Sequence, residues 1–515
     1  MSASFSTGTI SAVRSTDTKG AGPDADTVAR ADALLSADRQ FGDSAAIGER
    51  NLARFRLGLT MLAHHDAAAA DLLRTMAAAS GEQLRPLLYD PVLRNCFEVD
   101  LVELERGRLD RSSFAVCLGY GAADTPPPMG PCEALTDPPV RAWPHLGDTW
   151  VLTEPPPRDD ALQKLGERLM ELYRDAVGSG STVPVRPTDE VLAGLRGGAD
   201  LLATLMPSSG AGVLGHVTMV GFTHRETEEG PLQSMSGGDP LPSAVLLAPE
   251  RCASPWLAAE SLLHEGAHLK LFDALRTGAL VANPTERVPI PWRIGSWTLI
   301  RVFVALHFYV HVLVFRAAAA TAGESVRERF GAPPTVEEID EPSPDTPAAQ
   351  HGTHRTAVER ARYLAECVLS LPDEALTENG RRFADWLLTA LRLVDDEAPE
   401  PPARTTAVAA TPAEEAAHVP EAPVEGVLER VAPVDACALP SLGQLVVSTT
   451  LSARMHWLNA RSWTVYSLCD GRSPGSLRTA YARAADLPVD SPEVARQVDG
   501  SLRRLLAAGL VTHGG

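Results

Sequence analysis

The stretch 396–426 is built largely from Pro, Ala, Glu and Thr with almost no large apolar residue, and it constrains the fold more than any other part of the chain. A segment of that composition buries too little surface to offset the entropy of ordering it, so it is expected to be a disordered or semi-extended linker. The chain then divides into a long segment, 28–395, and a short one, 427–515. Residues 1–27 have no apolar run and are expected to be disordered too.

Within the long segment, SPWLAAESLLHEGAHLKL at 254–271 carries the densest chemistry. Ser254 is a good N-cap, Pro255 fits the first helical position, and Leu257, Leu262, Leu263 and Leu271 supply apolar surface. On that helix His264 and His268 lie one turn apart on one face, with Glu265 beside them, so both imidazoles reach a single metal ion. The preceding SAVLLAPERC at 243–252 reads as an apolar strand feeding the helix through a turn. Further strands are expected at 147–154, 181–185 and 212–223. Apart from Pro- and Gly-rich stretches and loops at 121–160, 283–296 and 337–354, the rest of the segment reads as mainly helical, giving a mostly helical α+β domain whose small sheet supports the metal helix.

Composition narrows the partners. A formal net charge of −20 repels phosphate backbones and anionic membrane surfaces. The seven cysteines are scattered with no Cys-x-x-Cys pair, which argues against a disulfide framework and a thiolate zinc site. A cytoplasmic enzyme that binds neither nucleic acid nor membrane is expected. Trp297–Ala320 is almost long enough to span a bilayer, but Arg301, His307 and His311 interrupt it, so it reads as a buried helix.

Two histidines need a third protein ligand. The metzincin pattern requires Gly and His where this chain has Leu271 and Ala274, and the thermolysin-like pattern would have to use Glu286 in a loop. His307 and His311, four apart on the apolar helix, are better placed, whereas His216 and His224 read as hydrogen-bonded structural residues. Three histidines hold zinc, with Glu265 as general base on a bound water, or Fe(II), with positions left for a 2-oxoacid and dioxygen. The iron reading also needs a cation for the cosubstrate's distal carboxylate, for which Arg293, Lys270 and Arg301 are available.

LLYDPVLRN (87–95), HEGAHLKL, PWR (291–293), LHFYVHV and LTENGRRF (376–383) occur in an order that resembles the HExxH-motif domain proteins of ribosomally synthesised peptide natural-product clusters. The resemblance implies an iron(II)- and 2-oxoglutarate-dependent peptide β-hydroxylase with His264, His268 and His307 as ligands and Arg293 and Lys270 near the cosubstrate. This chain departs from the pattern at Phe308, where a small residue is usual. WLNARSWTVYSLCDGR (457–472) and LLAAGLV (505–511) resemble a PqqD-type winged-helix recognition element. That resemblance implies that residues 442–511 bind the leader of a precursor peptide by strand addition. A zinc peptidase that cleaves the precursor, and an inactive precursor-binding scaffold, are the alternatives.

Overall fold

Short polar residues start the first helices. Asp24 accepts from the Thr27 N–H at α1 (Ala25–Ala37), and Asp43 accepts from Ala45 and Ala46 at α2 (Ser44–His65), satisfying donors that a helix leaves free in its first turn. After α3 (Ala70–Ala78), Ser80 and Gln83 form a reciprocal capping box at α4 (Gly81–Tyr89). Asp90 and Pro91 begin α5 (Pro91–Glu105), and α6 (Ser113–Gly121) packs back on it. The computed structural model describes residues 22–121, 149–152, 160–178, 184–227, 230–292, 295–334, 354, 356–400, 424–449 and 452–514. The expected disorder at the amino terminus and the expected linker fall mostly outside these residues, although α1 already begins at Ala25.

The middle of the chain builds the sheet. It contains β1 (Trp150–Val151), α7 (Asp160–Val177), α8 (Asp189–Leu205), α9 (Ser209–Leu214) and β2 (Met219–Phe222). A two-stranded pairing of β3 (Glu226–Thr227) with β4 (Gly230–Pro231) precedes β5 (Ser234–Ser236) and β6 (Ala244–Leu247). The strand order is β1-β2-β6-β5, with β5 antiparallel and the other pairs parallel. Both faces are covered, as uninterrupted apolar strands require. Val220, Phe222, Val245 and Leu247 enter one core, whereas Met219, Ala244 and Leu246 enter the other. The strand expected at 212–223 is helical in its first part, because Asp32 of α1 accepts from the Ser208 and Ser209 N–H groups and caps α9 from outside. Of the strand expected at 181–185, residues 181–183 lie outside the described residues, and 184–185 form no strand, Val185 giving a backbone bond to Phe222.

Ser254 and Pro255 start α10 (Pro255–Leu275) as their residue types require. Its neighbour α8 crosses at a glycine: a Cβ on Gly198 would lie 2.4 Å from the Ala258 Cβ. The pairing of β7 (Arg287–Pro289) with β8 (Ser296–Thr298) leads to α11 (Leu299–Ala320), followed by α12 (Glu324–Phe330), α13 (Ala357–Leu369) and α14 (Glu378–Val394). By length and composition α11 is apolar enough to cross a membrane, but 78% of its apolar window is buried inside the protein, against α10, α13 and α14. The architecture is α+β and mostly helical.

The last segment holds β9 (Leu428–Arg430), β10 (Pro433–Leu439), β11 (Gln444–Thr449), β12 (Ser452–Asn459), α15 (Ala460–Leu468), β13 (Asp470–Arg472), α16 (Pro474–Ala484), α17 (Pro492–Ala507) and β14 (Val511–His513). Its antiparallel sheets run β10-β11-β12 and β13-β9-β14. Alternation along β11 divides its side chains: Leu445 and Val447 join Val494, Val498 and Leu502 in the segment's own core, whereas Val446 faces the core built by α2, α4 and α5. Thr60 of α2 donates to Asp435 at 2.9 Å, and Ser441 donates to Glu49 at 3.0 Å, so the sheet is docked on α2.

Candidate metal centre

The i, i+4 spacing on α10 brings the ligand atoms of His264, Glu265 and His268 within 4.8 Å of one another. Glu265 Oε1 lies 4.0 Å from His264 Nε2. Its carboxylate is buried and fixed from the sheet: the Ser234 hydroxyl donates to Oε1 at 2.6 Å, and the Ser236 N–H also donates to it. Burial raises its proton affinity, and neighbouring His268 and these hydrogen bonds partly oppose that.

Both imidazoles are kept neutral. Desolvation lowers His264 and His268 to about 4. A neutral imidazole offers the lone pair that a metal binds. The Phe308 ring stacks on His264 at 3.9 Å between centroids and meets His268 edge-on at 5.2 Å. Two such imidazoles and a carboxylate suit a divalent transition metal, iron or zinc, as donor types.

The other candidates are distributed around this cluster. His307, one residue before Phe308, is fully buried with its ring 4.4 Å from His311, 5.8 Å from Phe383 and 5.9 Å from Trp386, and neither ring nitrogen has a hydrogen-bond partner among the described residues. It lies outside the group of mutually close ligand atoms. His311 has Nδ1 2.9 Å from the His307 carbonyl. Lys270 of α10 is fully buried, its Nζ without a hydrogen-bond partner among the described residues; burial lowers it to about 8, and its charge acts on His216, His307 and His311. Arg301 is exposed and lies over the Trp297 ring at 4.6 Å. Arg293 lies outside the described residues.

Three groups at the centre escaped sequence reasoning. The first is the Ser234–Ser236 strand that holds Glu265. The second is Asp273, five residues beyond His268 on α10: it accepts from Arg94, lies 2.6 Å from His216 Nδ1, and its backbone carbonyl accepts from Asn51 at 3.0 Å. Burial alone would raise Asp273, but Arg94 and His216 hold it at about 2. Arg94 also donates to Ser243 Oγ at 2.6 Å, at a residue with φ of +64°. The third is Arg251, in the turn after β6, whose Nε donates to Ser261 of α10 at 2.8 Å. Its position in SAVLLAPERC, directly before the helix, was the available signal.

Comparison with known proteins finds no family model and no curated protein that matches this chain.

Proposed function

We propose that the chain is an iron(II)- and 2-oxoglutarate-dependent hydroxylase that modifies a β-carbon in the core of a ribosomally made precursor peptide, recruited through residues 442–511. The observation that carries this reading is the way Glu265 is held. Beside two neutral imidazoles, its carboxylate already accepts from Ser234 and from the Ser236 N–H. Tied in this way, it is less suited to the free general base that a zinc peptidase needs for its bound water.

When bound, iron with 2-oxoglutarate and dioxygen supplies the chemistry that exchanges a peptide C–H for C–OH. His264 and His268 would hold the metal as neutral ligands, and the Phe308 ring covers one face of His264. His307 is the third ligand in this proposal. Its unpartnered nitrogens fit that role, and its ring has to turn from Phe383 and Trp386 to meet the metal. The sheet β10–β12 backed by α15 and α17 supports a PqqD-like winged-helix reading, with the leader adding a strand at a sheet edge. The acidic charge supports an enzyme that leaves nucleic acid and membranes alone, and the scattered cysteines support a cytoplasmic one.

The test is mass spectrometry of a candidate precursor, encoded beside the gene for this chain, after incubation with the Fe(II)-loaded protein, 2-oxoglutarate and air. A gain of one oxygen that disappears in His264→Ala supports the hydroxylase. Peptide fragments formed with zinc alone would establish the peptidase instead, and an unchanged peptide that still binds would leave the scaffold.

A further inference from the structure

Arg251 closes the short turn Pro249–Cys252 that joins β6 to the metal helix. It is half-buried, and its hydrogen bonds go to uncharged groups: Nε to Ser261 Oγ at 2.8 Å and Nη2 to the Leu257 carbonyl at 3.5 Å. Ser261 is one helical turn before Glu265, so the guanidinium is clamped against α10 just upstream of the cluster. From there its charge acts on both His264 and Glu265. The nearby carboxylate Glu260 attracts Arg251 as well, but its oxygens are hydrogen-bonded by Arg316 at 3.0 Å and 3.3 Å. Arg251 is therefore a positive charge oriented by neutral acceptors beside a site for a divalent cation. Together they favour an anionic ligand carrying two carboxylates.

We infer that Arg251 receives the remote carboxylate of the 2-oxo-dicarboxylate that binds at the His264–His268 centre. This rests on the 2-oxoglutarate reading above and assigns the cation that reading requires. The sequence candidates fit less well. Arg301 is spent on the surface against Trp297. Lys270 leaves α10 on the side of α9, where a Cβ on Gly212 would be 3.5 Å from its Nζ.

The experiment measures anaerobic binding of 2-oxoglutarate and of pyruvate, which lacks the remote carboxylate, to the Fe(II)-loaded full chain, followed by the visible charge-transfer band and by equilibrium dialysis. Losing a charge-assisted hydrogen bond predicts that Arg251→Gln weakens 2-oxoglutarate by about 10- to 100-fold. Pyruvate and Fe(II) affinities should stay near wild type, which also controls for folding, and Arg251→Lys should recover part of the loss. Unchanged 2-oxoglutarate binding in Arg251→Gln overturns the assignment while leaving the hydroxylase reading intact. So does a selective loss in Lys270→Met instead. A wild-type chain that binds Fe(II) but no 2-oxoglutarate overturns the hydroxylase reading itself, and the assignment with it.

Discussion

Asp273 answers two buried groups at once, Arg94 and His216, and its removal leaves Arg94 charged and enclosed. Breaking one side of a buried ion pair costs about 3–5 kcal/mol, so Asp273→Ala should lower unfolding free energy by about that much in urea titrations of metal-free protein. His264→Ala, by contrast, should leave the fold near wild type and remove Fe(II) binding in equilibrium dialysis, because its ring is partly exposed and its main contact is Phe308. The i, i+4 histidines were legible because helix periodicity alone puts them together. The orientation of His307 was not. Spacing relates it to His311 on the same helix, but which of His307 and Phe308 meets α10 depends on how α11 rolls against α10 and α14, which a single sequence does not encode locally.

Between elements, the contact of α8 with α10 depends on having no side chain at Gly198. A methyl placed 2.4 Å from the Ala258 Cβ forces the helices apart. Overpacking of this kind costs about 1–3 kcal/mol, against roughly 1 kcal/mol gained in helix propensity. Gly198→Ala should therefore lower Tm and weaken metal binding together, since His264 rides on the displaced helix. Strong local signals made α10 legible: a Ser–Pro start and leucines at helical spacing. Strands β9, β10, β13 and β14 lacked such signals, being short or, in β10, exposed or half-exposed along most of its length with no clean alternation. They exist because neighbouring strands supply their hydrogen bonds.

At the scale of the whole molecule, buried His216, His307 and His311 and half-buried His264 and His268 all have proton affinity below the ordinary value of 6.5. The unfolded chain therefore binds protons more readily, so stability is complete above about pH 6.5 and falls as acid approaches the folded values of about 4 for His264 and His268. Asp90, which burial lifts to about 6, works in the opposite sense, as do Asp100 and Glu265, but these are outnumbered. Urea midpoints of the metal-free protein should be lower at pH 5 than at pH 7.5. The docking of β10–β12 on α2 predicts that a chain cut at an engineered protease site between 401 and 423 still migrates as one particle on size exclusion. Val446→Lys, which puts a charge into the α2–α5 core, should let the two pieces part. If residues 442–511 hold a leader peptide as proposed, their docking on α2 makes them a ruler. The number of peptide residues between the held segment and the metal would then select the position that reacts, and inserting residues into that spacer should move the modification along the peptide by the same count.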